Sequence, residues 1–135
     1  MNKYLIPVIG IVAGAALGGA AVQGLHAQAK PPVYLIALID VSNPEAYGKE
    51  FAPQSQATAR DAGGKLIALG GAGGALASGQ VTAFDGEAPK RVTITAWDSL
   101  EKLKAWYNSP EHQNLLRIGQ RYAKFNTFAI GGQSQ

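Results

Sequence analysis

The order of elements along residues 30–135 predicts an α+β fold that runs β-α-β-β-α-β. Three observations predict it. Val33 to Val41, VYLIALIDV, is aliphatic and β-branched without polar alternation, as a strand with apolar residues on both faces would be. Arg91 to Trp97, RVTITAW, alternates strictly in the manner of a half-buried strand. After each of these strands the apolar residues recur at three- and four-residue intervals behind residues that start helices.

The segment before this domain is MNKYLIPVIGIVAGAALGGAAVQGLHAQAK. It carries a lysine at position 3, an uncharged run from Tyr4 to Ala29, and the small residues Ala27 and Ala29 around Gln28. That layout is a secretory signal peptide with an A-x-A cleavage site, which assigns residues 1–29 to export and makes Lys30 the first residue of the mature domain, 30–135. The competing reading is an uncleaved membrane anchor facing the periplasm. The run is long enough to span a bilayer, and Gly10, Gly14 and Gly18 form a G-x-x-x-G ladder. Alanine and glycine make the run only weakly apolar, which favours the signal peptide and a periplasmic or secreted location in a bacterium.

Composition narrows the rest. Twelve Lys and Arg against nine Asp and Glu leave a net charge of +3, scattered along the chain, which is a poor footprint for nucleic acid. The absence of cysteine excludes a disulfide framework, thiol catalysis and Cys-ligated zinc. At 47% hydrophobic and 16% charged residues, the chain suits one small globular domain.

The elements follow in order. After the first strand, Asn43 is placed to cap a helix and Pro44 to occupy its first position. Tyr47 and Phe51 fall on one face of that helix, and Pro53 breaks or restarts it before it continues to Ala62. The stretch GGKLIALGGAGGALASGQ, residues 63–80, then raises the question of a phosphate loop. A dinucleotide fingerprint needs G-x-G-x-x-G opening a helix. Counted from Gly71, the third glycine position is Leu76, no helix start follows, and no G-K-[ST] occurs. Gly63 and Gly64 are read instead as the end of the preceding helix, KLIAL as a strand, and Gly70, Gly71, Gly73 and Gly74 as turn and bulge residues.

Asp85-Gly86 supplies a turn, and RVTITAW is the third strand. In DSLEKLKAWYNSPEHQNLL, Asp98 with Glu101 has capping-box spacing. Leu100, Leu103, Trp106 and Tyr107 form an apolar face, and Lys102 and Lys104 face water. Ser109-Pro110 opens a second helical piece with Leu115, Leu116, Ile118 and Tyr122 inward, and NTFAIGG closes as the last strand. This is the ferredoxin-like plan. Two helices cover one face of a four-stranded sheet, whereas the first strand is apolar on both, so a second copy packed sheet to sheet is expected: a homodimer.

IDVSNPEAYGKEF, the Gly63-Gly64 and Gly70-Gly71 pairs, LEKLKAWYNSPEHQNLL and the closing FAIGG together resemble the domain of unknown function 1330 family, in the dimeric α/β-barrel superfamily; W-Y-x-S-P-E is the most specific part. The resemblance implies a ferredoxin-like dimer with a ligand cavity between sheet and helices. This chain departs from the family pattern at Ala96-Trp97, at His112 and at Gly131, where the family tends to carry Glu-Phe, Tyr and an acidic residue. The missing carboxylates weaken a shared catalytic role.

The chemical candidates are few. His112 is the only histidine after residue 29, so neither a metal site nor a bound cofactor is expected. The first turn of its helix should expose it. As a general base it would suit neutral pH, with Asp40 at the end of the first strand as its orienting partner. Tyr47, Trp106 and Tyr107 suit the wall of a cavity for a flat ligand, although their helical spacing reads first as core. Arg91, Arg117 and Arg121 have the geometry to hold a carboxylate, although solvated charges are the plainer reading. No hydrolase motif occurs. The favoured function is an exported dimeric domain that binds a small organic ligand or serves as an interaction module. The alternative is a cofactor-independent enzyme of the isomerase or monooxygenase type, acting on a small organic acid or aromatic with His112 as base.

Overall fold

The computed structural model describes residues 30–71 and 79–134. The export or anchor segment, residues 1–29, and the glycines Gly73 and Gly74 lie outside the described residues. Among the described residues no helix is long and apolar enough to cross a membrane. Every element of the described residues falls within Pro31–Gln135. In order these are β1 (Val33–Val41), α1 (Pro44–Glu50), α2 (Ala52–Asp61), β2 (Lys65–Gly71), β3 (Arg91–Trp97), α3 (Leu100–Tyr107), α4 (Pro110–Gly119) and β4 (Ala123–Gly131). The strands form one antiparallel sheet in the order β2-β3-β1-β4, with the two longest pairings made by β1 at its centre.

The helix boundaries follow local chemistry. The Asn43 side chain accepts a hydrogen bond from the Ala46 amide at 3.1 Å, and Pro44, which has no N–H to leave unpaired, opens α1. The break falls at Phe51, two residues before Pro53. Helix α2 ends in a Schellman turn: the Gly64 amide donates to Ala59 at 2.8 Å and the Gly63 amide to Arg60 at 3.0 Å. Gly63 sits there at φ +105°, which a side chain would strain. Ser109 caps α4 by accepting from the His112 amide at 3.2 Å.

Four expectations need correction. The cap of α3 is Ser99, which accepts from the Lys102 amide at 3.2 Å, while Asp98 lies one residue outside and pairs with the Lys102 ammonium at 3.1 Å. Leu100, at the start of α3, is 39% exposed, and only Leu103 and Trp106 of the expected face are buried. In α4 the buried residues are His112 and Gly119; Leu115, Leu116 and Ile118 are only half-buried. Gly119 is buried because Phe51 packs where its Cβ would be. The last strand is also longer than NTFAIGG, since β4 pairs along the whole of β1 from Ala123 opposite Val41 to Gly131 opposite Val33.

The sheet places alternate residues on alternate faces. Leu35, Ala37 and Ile39 of β1 face the helices, together with Arg91, Thr93, Thr95 and Trp97 of β3, which stand opposite Ile39, Ala37, Leu35 and Val33. The alternation read in RVTITAW is therefore oriented with its threonines beneath the helices. Val92, Ile94 and Ala96 share the other face with Ile36 and Leu38 of β1 and Phe128 and Ile130 of β4. Phe128 and Ile130 are 45% and 56% exposed there.

A Cβ on Gly64 would lie 2.6 Å from the ring of Trp97, which is 1% exposed and has no room to retreat. Gly64→Ala should therefore destabilise the domain by about 1–3 kcal/mol, the usual cost of overpacking a rigid site. Equilibrium urea denaturation measures it, and an unchanged midpoint would show that the indole is free to shift.

Candidate functional site

Beneath the helices the core is divided. One cluster joins Ile39, Tyr47, Phe51, Ala52 and Ala123 with Ala37 at its edge; the other joins Ala59, Trp97, Leu103 and Trp106, with Val33 and Leu35 packed against it. Between the two clusters the sheet carries small residues. Thr93, Ala37 and Thr127 stand in one row across β3, β1 and β4, because Ala37 pairs with both threonines. A cavity of about 350 Å³ opens above that row. Its walls are aromatic: Tyr47, Phe51 and Phe125 at one side and Trp106 and Tyr107 at the other, with Leu116 also in the lining. Its volume lies at the lower end of the range of ligand pockets, about 300–1,000 Å³.

Helix α2 forms the remaining wall through Ala52, Ser55, Gln56, Ala59 and Arg60, residues at three- and four-residue spacing on one helical face. Gly64 of the Schellman turn and Lys65 and Leu66 at the start of β2 complete it. Arg60, Lys65 and Leu66 are exposed and mark the rim.

His112 also lines the cavity, and it is not the exposed first-turn residue expected from its place in the helix. It is 3% exposed, because the short Asn108–Ser109 link folds the first turn of α4 back onto the end of α3. Its ring lies 4.0 Å from the ring of Trp106 and 5.0 Å from that of Tyr107, centroid to centroid. Among the described residues neither Nδ1 nor Nε2 has a hydrogen-bond partner. The neighbouring indoles differ, since Trp106 Nε1 donates to Thr58 Oγ1 at 3.1 Å and Trp97 Nε1 to Thr95 Oγ1 at 2.9 Å. Burial without a partner disfavours the charged imidazolium and lowers the His112 pKa from 6.5 to about 4. At neutral pH the ring therefore offers one N–H donor and one bare nitrogen acceptor to whatever enters the cavity.

Of the other residues singled out in the sequence, Tyr47, Trp106 and Tyr107 do line the cavity. Trp106, at 9% exposed, belongs to the core and to the cavity wall at once. Asp40 is not brought to His112. The pleat turns it to the face away from the helices, where its carboxylate pairs with the Lys90 ammonium at 2.7 Å. Arg91 is not a solvated charge, being only 1% exposed, and it is not among the residues lining the cavity. Its guanidinium stands behind the wall with its carbon 5.5 Å from the Tyr47 ring centroid, a cation–π contact, and among the described residues none of its nitrogens has a hydrogen-bond partner. Burial raises the Tyr47 hydroxyl pKa, and the nearby Arg91 charge partly opposes that rise. Arg117 and Arg121 are exposed, with Arg117 bonded to Asn114 at 3.0 Å, and neither lines the cavity.

The residues that sequence reasoning missed are the threonines of the floor and the polar residues of α2 and β2. The spacing Ala52, Ser55, Gln56, Ala59, Arg60 was a visible signal of one helical face. Nothing in the sequence indicated that this face would border a void. Among the described residues, no group of three or more His, Cys, Asp or Glu side chains is placed to hold a metal ion.

The depressed His112 pKa has a stability consequence. An unfolded chain takes up the proton near pH 6.5, whereas the folded domain resists it to about pH 4, so His112 contributes its full stabilisation above 6.5 and loses it as pH falls through that window. Urea midpoints measured at several pH values should decline between pH 6.5 and 4 in the wild-type domain, and less steeply in His112→Phe. Equal slopes would show that His112 titrates alike folded and unfolded.

The geometry has relatives among solved structures. A protein of unknown function from Rhodopseudomonas palustris, RPA0582, superposes with a TM-score of 0.56 at 12% identity, covering 86% of this chain and 94% of its own. The methylated form of RPA0582 gives 0.54 at 15%, covering 84% and 90%. SnoaB, a cofactor-independent oxygenase from Streptomyces nogalater, gives 0.54 at 9%, covering 78% and 96%. At these identities the likeness is one of fold. No curated protein matches the sequence. The family described as Domain of unknown function (DUF1330) matches residues 32–133, nearly all of the domain in which the cavity lies, and the chain belongs to that family.

Proposed function

We propose that this is an exported, dimeric domain that binds a small, flat organic molecule in the cavity between sheet and helices. The observation that carries this reading is the pair of unpartnered His112 nitrogens in an aromatic-walled space. A buried polar group without a partner costs folding energy, about 1–3 kcal/mol, which a ligand hydrogen bond to the ring would recover. Aromatic walls supply area for a planar molecule, and the floor threonines supply hydroxyls.

Export rests on the A-x-A pattern at Ala27 and Ala29. Dimerisation is supported by the open sheet face, which carries Ile36, Leu38, Val92, Ile94, Phe128 and Ile130 while the face beneath the helices carries the threonines. Such a distribution suits a second sheet packed against the first.

A second reading, a cofactor-independent enzyme with His112 as general base, is favoured by the position of His112 in the cavity. It is weakened by the depressed basicity of a ring with a pKa of about 4 and by the displacement of Asp40 to the other face. Native mass spectrometry of the protein purified without refolding tests both readings. Binding predicts a dimer carrying a low-mass organic molecule that is released unchanged by denaturation. A bare monomer would contradict it, and a molecule chemically altered on incubation with the protein would favour the enzyme.

A further inference from the structure

The interior of the cavity wall is polar in places but carries no ionised side chain. Its polar groups include the His112 imidazole, the hydroxyls of Thr93 and Thr127 in the floor, and the Gln56 amide. The Thr95 hydroxyl is already engaged by the Trp97 indole at 2.9 Å. Neither Asp nor Glu is part of the lining. Of the two cationic residues that are, Arg60 is exposed at the rim. Lys65 pairs with Ala96, so its side chain is turned to the sheet face away from the helices. His112 is uncharged at neutral pH, and Arg91 is buried behind Tyr47, outside the lining.

Resting on the reading of the cavity as a ligand site, we infer the class of its ligand: an uncharged aromatic hydroxyl compound, a phenol, with its ring between the Phe51 and Trp106 walls and its hydroxyl on His112. Either charged alternative is disfavoured by the wall. A cationic ligand would meet no carboxylate, and the Arg91 guanidinium, 5.5 Å from the Tyr47 ring centroid on the far side, would repel it. An anionic ligand drawn in as far as His112 would leave water without a cationic N–H to receive it, because Arg60 stays at the rim and Arg91 does not line the cavity. A hydroxyl suits His112 in particular. The unpartnered ring presents one N–H and one bare nitrogen, and a hydroxyl can accept from the first or donate to the second, whichever is turned toward it. An ether or a ketone can only accept. The aromatic body follows from the two aromatic walls, which offer ring faces and edges to a planar guest.

Isothermal titration calorimetry with 2-naphthol, its methyl ether and 2-naphthoate tests the inference, together with the absorbance of 4-nitrophenol, whose phenol and phenolate forms differ in colour. The naphthol should bind the wild-type protein about tenfold tighter than the ether, which has no proton to donate, and tighter than the naphthoate. In His112→Phe the preference for naphthol over ether should disappear. On the wild-type protein, 4-nitrophenol should lose its proton at a higher pH when bound than when free, since a cavity of this kind favours the neutral form. An ether or a naphthoate that binds as tightly as the naphthol, a preference that survives in His112→Phe, or a bound nitrophenol that ionises at or below the pH of the free dye would overturn the uncharged phenol and leave the cavity reading standing. Binding of none of the probes would overturn the cavity reading and this inference with it.

Discussion

The structure depends on one row of small side chains. Thr93, Ala37 and Thr127 align across three strands beneath the helices, and the buried residues that α2 turns toward that space are the small Ala52 and Ala59. Protein interiors are ordinarily filled to the density of organic crystals, and unfilled volume costs stability. Here the large residues are displaced to either side. Tyr47, Phe51 and Phe125 pack mutually with ring centroids 5.3–6.4 Å apart, while Trp97 and Trp106 pack at 5.1 Å in the other cluster. The domain thus has two half-cores that are each well built and a gap between them that they frame.

Electrostatics follow from that division. His112 reaches the gap from the second half-core, held against Trp106 and Tyr107, and there it meets neither a hydrogen-bond partner nor a carboxylate, so its ring stays neutral. Arg91 is enclosed beside the first half-core, with the Tyr47 face as its compensation. Arg60 remains at the opening, in contact with solvent, and makes no ion pair among the described residues. Each charge is therefore placed by the packing of its neighbours.

Much of this was legible in the sequence, and the reason lies in local chemistry. Asn43-Pro44, Ser109-Pro110 and Gly63-Gly64 set helix ends through hydrogen bonds within a few residues, so they read correctly without tertiary knowledge. The apolar strand Val33–Val41 announced its central position, and the W-Y-x-S-P-E segment announced the family. The site was less legible. Whether Ala37 faces Thr93 or its neighbour is a matter of register, which is decided between strands far apart in the chain. The burial of His112 depends on how α4 packs on α3, and periodicity alone suggested Leu115, Leu116, Ile118 and Tyr122 as the inward residues. Asp40 and His112 looked compatible as a dyad because sequence does not show which face of β1 an even-numbered residue takes. The threonines of RVTITAW, which lie beneath the helices, invert the usual pattern of apolar residues inward, and that inversion becomes informative only once the sheet is seen to have a second apolar face.

The most direct measurement of whether the Ala37 row holds open a usable space is the thermal stability of Ala37→Leu, read with and without bound 2-naphthol. In a close-packed core the larger side chain would strain its surroundings and cost about 1–3 kcal/mol. The account predicts the opposite: the introduced isobutyl group settles into the cavity, the ligand-free variant melts at or above the wild-type temperature, and the naphthol no longer raises the melting point. A variant that melts well below wild type, or one that is still stabilised by the naphthol, would contradict it.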